Sequence, residues 1–110
     1  MKICRLEDIV PDTGVAALVD GQQVAVFRIN QEIYAIGNRD PFSGANVLSR
    51  GIVGDLNGEL VVASPVYKQH FSLRTGRCIE DASVAVPVYR ALVEGADIQI
   101  FLTGEAQCRT

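Results

Sequence analysis

Tryptophan is missing from this chain, histidine and methionine occur once each, and there are three cysteines, Cys4, Cys78 and Cys108. Each scarcity excludes something. One histidine and three scattered thiols do not make a recognisable zinc ligand set. Three is odd and no two cysteines form a C-x-x-C pair, so reduced thiols in a cytoplasmic protein are expected rather than a disulfide framework. No apolar run approaches the roughly 18–20 residues that span a bilayer, so no membrane partner is expected. The opening MKICRLEDIV brings in Glu7 and Asp8 before an apolar stretch of signal-peptide length can form, which argues against a secretory signal. Positive charge is not in excess either. Ten Lys and Arg against 13 Asp and Glu give a net −3, without the basic footprint of a nucleic-acid-binding domain.

What is present suits one domain. A chain of 110 residues that is 48% hydrophobic can fill a modest core. Ten glycines and four prolines are spread along its length, which implies short elements with frequent turns. Apolar alternation rich in β-branched residues reads as strands at 2–6, 14–19, 23–29, 32–36, 59–63, 70–73, 85–92 and 97–102. Asp20-Gly21 and Asn57-Gly58 are hairpin signals, because both residue types tolerate positive φ; Asn30-Gln31 and Thr75-Gly76 mark further turns. Pro87 inside the 85–92 run suggests an edge or a bulge. The 37–57 segment, broken by Gly37, Pro41, Gly44, Gly51 and Gly54, reads as a long loop with a short helical turn near 46–48. Residues 104–110 read as a loose tail. The class is all-β, a sandwich or partly open barrel of about nine short strands, with the 37–57 and 64–69 loops emerging at one end.

Charge is uneven along the chain. Between Asn38 and Arg77 stand Arg39, Arg50, Lys68, Arg74 and Arg77 against Asp40, Asp55 and Glu59, a balance of +2, so the remainder carries −5. A basic end on an acidic body can steer a charged partner.

The residues offer pieces of three chemistries. Ser64, Ser72 and His70 are the pieces of a nucleophilic site, but Ser64 lies in SPVY without the glycine-flanked elbow of G-x-S-x-G. Asp40, Asp55 and Glu59 are candidate ligands for a hard cation, at spacings that match no loop motif. Gly51 and Gly54 come without the lysine and helix of a phosphate loop.

The stretch SPVYKQHFSLRTGRC, residues 64–78, carries a resemblance. Rieske iron–sulfur domains are small all-β units whose cluster hangs from a C-x-H loop and a C-P-x-H loop, the second followed by a Phe-x-Leu-x-Thr-Gly-like turn. Here Ser64-Pro65-Val66-Tyr67 precedes Phe71-Ser72-Leu73-Arg74-Thr75-Gly76, and Gly37-Asn38-Arg39-Asp40-Pro41 sits where C-x-H is expected. The chain resembles a Rieske domain over roughly residues 2–103. All four ligand positions depart from it: Asn38 and Ser64 stand for the cysteines, Asp40 and Tyr67 for the histidines. Two thiolates hold one iron of a Rieske centre and two imidazoles the other. A neutral amide, a hydroxyl and harder oxygen donors do not replace them, so no iron–sulfur cluster is expected.

GNRDPFSGANVLSRGIVGD, SPVYKQHFSLRTGRC and the ending VPVYRALVEGADIQIFL together resemble the small subunits of assimilatory NAD(P)H-dependent nitrite reductase. That resemblance implies a cofactor-free accessory subunit whose large-subunit partner carries FAD, siroheme and an iron–sulfur cluster and reduces nitrite to ammonia. It implies no catalytic residue and no metal in this chain. Asn38, Asp40, Ser64 and Tyr67 would then hold the two loops by hydrogen bonds, with the Tyr67 ring buried, and Arg39, Arg50, Pro65, Tyr67 and Lys68 would form or adjoin the docking face. Two other readings stay open: a free-standing protein-interaction module, and a degenerate Rieske ferredoxin of another oxidoreductase complex.

Overall fold

Paired turn residues with positive φ lay out the chain, which a computed structural model describes over residues 2–101. Asp20 and Gly21 have φ of 48° and 80°, Asn57 and Gly58 of 54° and 89°. Two-residue turns of this hand match the twist of the strands they join. They fold β2 (Thr13–Val19) onto β3 (Gln22–Ile29) and β5 (Ile52–Leu56) onto β6 (Glu59–Ala63), with Val19 opposite Gln22 and Leu56 opposite Glu59. Asn30-Gln31 closes β3 onto β4 (Glu32–Gly37), with Ile29 opposite Glu32.

The remaining strands are β1 (Lys2–Arg5), β7 (His70–Ser72), β8 (Val88–Glu94) and β9 (Asp97–Phe101), with 3₁₀ turns at Leu6–Asp8 and Leu48–Arg50. Six strands form one sheet in the order β1-β9-β8-β4-β3-β2, and β5-β6-β7 form a second. Every pairing is antiparallel. Strand β8 makes the join in the larger sheet: Val88 and Tyr89 pair with β4, and Arg90 to Glu94 pair with β9.

Successive strand side chains point to opposite faces. Val24 to Phe27 of β3 are all buried, because both faces of that strand are covered. Ala25 and Phe27 join Ile36, Leu48, Val62, Phe71, Leu73, Cys78 and Val86 in a core between the two sheets. Val24 and Val26 join Ala35, Val19 and Ile9 with Ile98 and Ile100 of β9 in a second core. Strands β3 and β9 are separated by two others in the sheet yet share this cluster, so the large sheet curls into a partly open barrel. The all-β class and the count of about nine short strands expected from the sequence agree with the nine strands of the described residues.

Three local expectations change. Pro87 is outside a strand: β8 begins at Val88, because proline has no N–H to give a ladder. The residues before it pair with the 76–78 turn instead, through Cys78 N–H to Val84 O (2.9 Å) and Val86 N–H to Gly76 O (2.8 Å). The 37–57 segment is not loop to its end, since 52–56 is β5. Its glycines hid the strand, and Gly51 is there for contact: a Cβ would lie 2.3 Å from the Ala63 carbonyl oxygen. The helical turn falls at Leu48–Arg50 rather than 46–48. The end of the last expected strand at Leu102 and the 104–110 tail lie outside the described residues. Among the described residues no helix is long and apolar enough to cross a membrane.

Candidate functional site

The first loop leaves the large sheet at Gly37, where β4 ends, and the second leaves the small sheet at Ala63, where β6 ends. Asn38 is 1% exposed and hydrogen-bonded through both its backbone and its side chain. Its N–H donates to Gln23 O (3.1 Å) and its carbonyl accepts from Leu48 N–H (3.1 Å). Its side-chain amide donates to Asn46 O (3.3 Å), and its Oδ1 accepts from Ser49 N–H (2.8 Å). A buried amide so placed ties the first loop to β3 and to the 3₁₀ turn.

Asp40 is wholly buried. Its Oδ1 accepts from Phe42 N–H at 2.8 Å, and its Oδ2 accepts from the Ser64 hydroxyl at 2.5 Å. Ser64 Oγ in turn accepts from Val66 N–H at 3.2 Å. One run of hydrogen bonds therefore goes from Phe42 N–H through the Asp40 carboxylate and the Ser64 hydroxyl to Val66 N–H. It joins two loops whose linked residues are 24 positions apart. Charge-assisted bonds shielded from water are the strong ones.

Tyr67 does not take part. The second loop is closed by Lys68 N–H on Ser64 O (3.1 Å) and Ser64 N–H on Gln69 O (2.9 Å), and Pro65, Val66 and Tyr67 form its exposed apex. Tyr67 is 60% exposed, so its ring is not the buried loop support expected from the sequence. Lys68 has φ of 68°. The other non-glycine residues with positive φ are Asp12, Asp20, Asn30 and Asn57, whose short polar side chains suit that region. A lysine held there is backbone strain at the loop tip, where strain often accompanies function.

Of the other expected docking residues, Arg39 is exposed and its Nε reaches Gly44 O only at 3.4 Å. Lys68 Nζ donates to Pro65 O at 3.2 Å. Arg50 is exposed two residues before Ile52, which pairs with Ala63, so the β5–β6 register brings it toward the second loop. Sequence reading missed three apolar side chains of this end: Phe42, Val66 and Ile52, the last 76% exposed. Nothing in their spacing marks them. Phe42 lies against the buried Phe71 with ring centroids 6.2 Å apart.

The alternative chemistries are not assembled. Ser64 faces Asp40; Ser72 Oγ is bound to Glu59 and accepts from Arg74 N–H and Thr75 N–H. His70 Nδ1 is bound to Glu80 at 2.6 Å, so neither serine faces the histidine. Asp55 caps Gly58 N–H, which leaves Asp40, Asp55 and Glu59 each engaged apart from the others. Cys78 lies in the core, and burial pushes its thiol above the ordinary range.

The site does not fit a Rieske cluster. At the four positions expected from the sequence to stand for ligands are a buried, hydrogen-bonded amide, a carboxylate, a hydroxyl and an exposed phenol, none the thiolate or imidazole that such a centre needs. Asp40 and Ser64, on opposite loops, contact each other directly.

A model of the Rieske-like [2Fe-2S] domain family matches residues 1–101. The small subunit of NADH nitrite reductase from Salmonella typhimurium is 48% identical over 100 residues, 89% of this chain and 93% of that one. The chain belongs to the nitrite reductase small-subunit family. The solution structure of a nitrite reductase NAD(P)H small subunit from Erwinia carotovora is 50% identical, with a TM-score of 0.78 over 91% of this chain and 78% of that one. The family also extends into larger chains. The large subunit of nitrite reductase NAD(P)H from Klebsiella oxytoca matches 89% of this chain at 41% identity with only 10% of its own length. A domain of this kind therefore stands inside a large-subunit chain in one organism and apart in others.

Proposed function

We propose that this chain is the cofactor-free small subunit of a cytoplasmic NAD(P)H-dependent nitrite reductase that works in nitrate assimilation. It docks on a large subunit bearing FAD, siroheme and an iron–sulfur cluster, where nitrite is reduced to ammonia. The observation that carries this reading is the hydrogen-bonded run from Phe42 to Val66. It keeps the two-loop end of a Rieske frame in shape with oxygen donors in place of a cluster. A domain that keeps this end without the metal is suited to recognition rather than electron transfer. The presence of a matching domain within the Klebsiella oxytoca large subunit supports association of the two parts.

The docking face is the loop end. Tyr67, Phe42, Val66, Pro65 and Ile52 offer exposed apolar surface, and Arg39, Arg50 and Lys68 supply charge around it. Aromatic and arginine side chains are the usual interface anchors, with lysine at the rim.

Tagged protein drawn from its native cells grown on nitrate tests the reading. The expected eluate holds a large chain with flavin and siroheme absorption and reduces nitrite with NADH or NADPH. A protein that elutes alone overturns the subunit assignment. Iron–sulfur absorption from the separated small chain overturns the cofactor-free assignment.

A further inference from the structure

Beside the first loop, and apart from the exposed apex of the second, lies a cleft of about 390 Å³. Gln22 and Gln23 at the start of β3, Asn38, Arg39 and Asn46 of the loop, and Tyr89 of β8 give it polar groups; Pro41, Ala85, Val86 and Pro87 complete the walls. Its volume is within the range of clefts that hold ligands. The lining contains one full charge, the Arg39 guanidinium, and no carboxylate. Arg39 makes no ion pair among the described residues; its one side-chain hydrogen bond there is the 3.4 Å contact with Gly44 O. Gln22, Gln23 and Asn46 bring neutral amides to the lining, which add donors without a competing negative charge.

A guanidinium with neutral donors around it suits a planar carboxylate. Phosphate sites gather several cations or a run of backbone N–H groups, and this cleft offers one cation. The cleft shares Arg39 and Pro41 with the loop end and so continues the proposed docking face.

We propose that this cleft receives an extended acidic segment of the large subunit, with one of its carboxylates paired to Arg39 and its stem against Pro41 and Pro87. This rests on the docking reading above and gives that interface its charged anchor. Asn46 pairs with Arg39 across an isolated bridge, and its side chain is exposed at the cleft. Asn46→Asp therefore sets a carboxylate beside the guanidinium without changing shape, and Gln22→Glu adds negative charge elsewhere in the lining.

The experiment measures the dissociation constant of purified small and large subunits at low and at physiological salt. Asn46→Asp and Gln22→Glu are each expected to weaken binding about 5- to 20-fold at low salt, with smaller effects at high salt because exposed charges are screened. Asn46→Lys is expected to bind at least as tightly as the unaltered protein. If Asn46→Asp and Asn46→Lys weaken binding equally, or neither changes it, the acidic-segment proposal is wrong while the docking reading stands. If the unaltered subunits do not bind at all, both fall. If succinate binds the small subunit at Arg39 and leaves its affinity for the large subunit unchanged, the cleft is a small-molecule site and the proposal also fails.

Discussion

Two carboxylates brace the loops around the small sheet, with similar bonding and opposite surroundings. Asp40 accepts one backbone N–H and one side-chain hydroxyl while wholly buried. Glu80 accepts the His70 backbone N–H at 2.8 Å and contacts the His70 ring at 2.6 Å, with 46% of its side chain exposed. Water competes for every bond that Glu80 makes and is excluded from those of Asp40. The same two-pronged grip is therefore structural at the loop end and marginal beside β7. The comparison shows what lets a polar contact brace two loops: the Asp40–Ser64 pair is buried and both side chains have partners, as such networks must to hold.

The most severe way to break the comparison is Asp40→Ala. It leaves the Ser64 hydroxyl and Phe42 N–H without their acceptor inside the protein, at a cost of about 3 kcal/mol. Urea unfolding followed by circular dichroism would show it; a loss below about 0.5 kcal/mol would mean that the loops are held by something else. Ser64→Ala strips one bond from a buried carboxylate and is expected to cost about 2 kcal/mol. In the double variant the losses should add to less than their sum, because each single change strands the partner that the other removes.

The next prediction separates the lock from the surface it supports. Tyr67→Ala and Arg39→Glu change exposed side chains, so unfolding midpoints should stay within about 0.5 kcal/mol of the parent. Association with the large subunit should weaken by about 1–2 kcal/mol, roughly 10-fold, if these are anchors. Calorimetry or surface plasmon resonance decides it, and unchanged affinity in both variants removes the loop apex from the interface.

The fold was legible in the sequence because its signals are local. Asp20-Gly21 and Asn57-Gly58 announce their turns, and period-two alternation announces most of the strands between them. Strand β5 was illegible because glycines 51 and 54 broke the pattern, although Gly51 is needed for the close approach to Ala63. The site was half legible. Family resemblance pointed to Asn38, Asp40, Ser64 and Tyr67 as positions, but which of them touch depends on packing between residues 24 apart. Tyr67 looked like a support because aromatic rings usually bury. The turn closed by Lys68 on Ser64 puts it at the exposed apex instead. The acid-free cleft beside Arg39 has no sequence signal, since Gln22, Asn46 and Pro87 meet only in the folded chain.

The smallest effect tests the exposed half of the comparison. Partial burial alone would raise the Glu80 pKa, but the hydrogen bonds from His70 outweigh it and hold the carboxylate below its ordinary range. A carboxyl whose folded pKa is depressed stabilises the fold above its unfolded pKa. That contribution disappears as pH falls through the folded value. Glu80→Gln keeps an acceptor for the His70 N–H and loses the charge. At neutral pH it should be less stable than the parent by under about 1 kcal/mol, as expected for a grip so open to solvent. As pH falls through and below the ordinary carboxylate range, near 4, the two proteins should converge. Urea midpoints measured across that range give the answer. A gap that stays constant in acid would mean that shape rather than charge makes the grip. A gap as large as that of Asp40→Ala would erase the distinction between a buried and an exposed carboxylate on which the comparison stands.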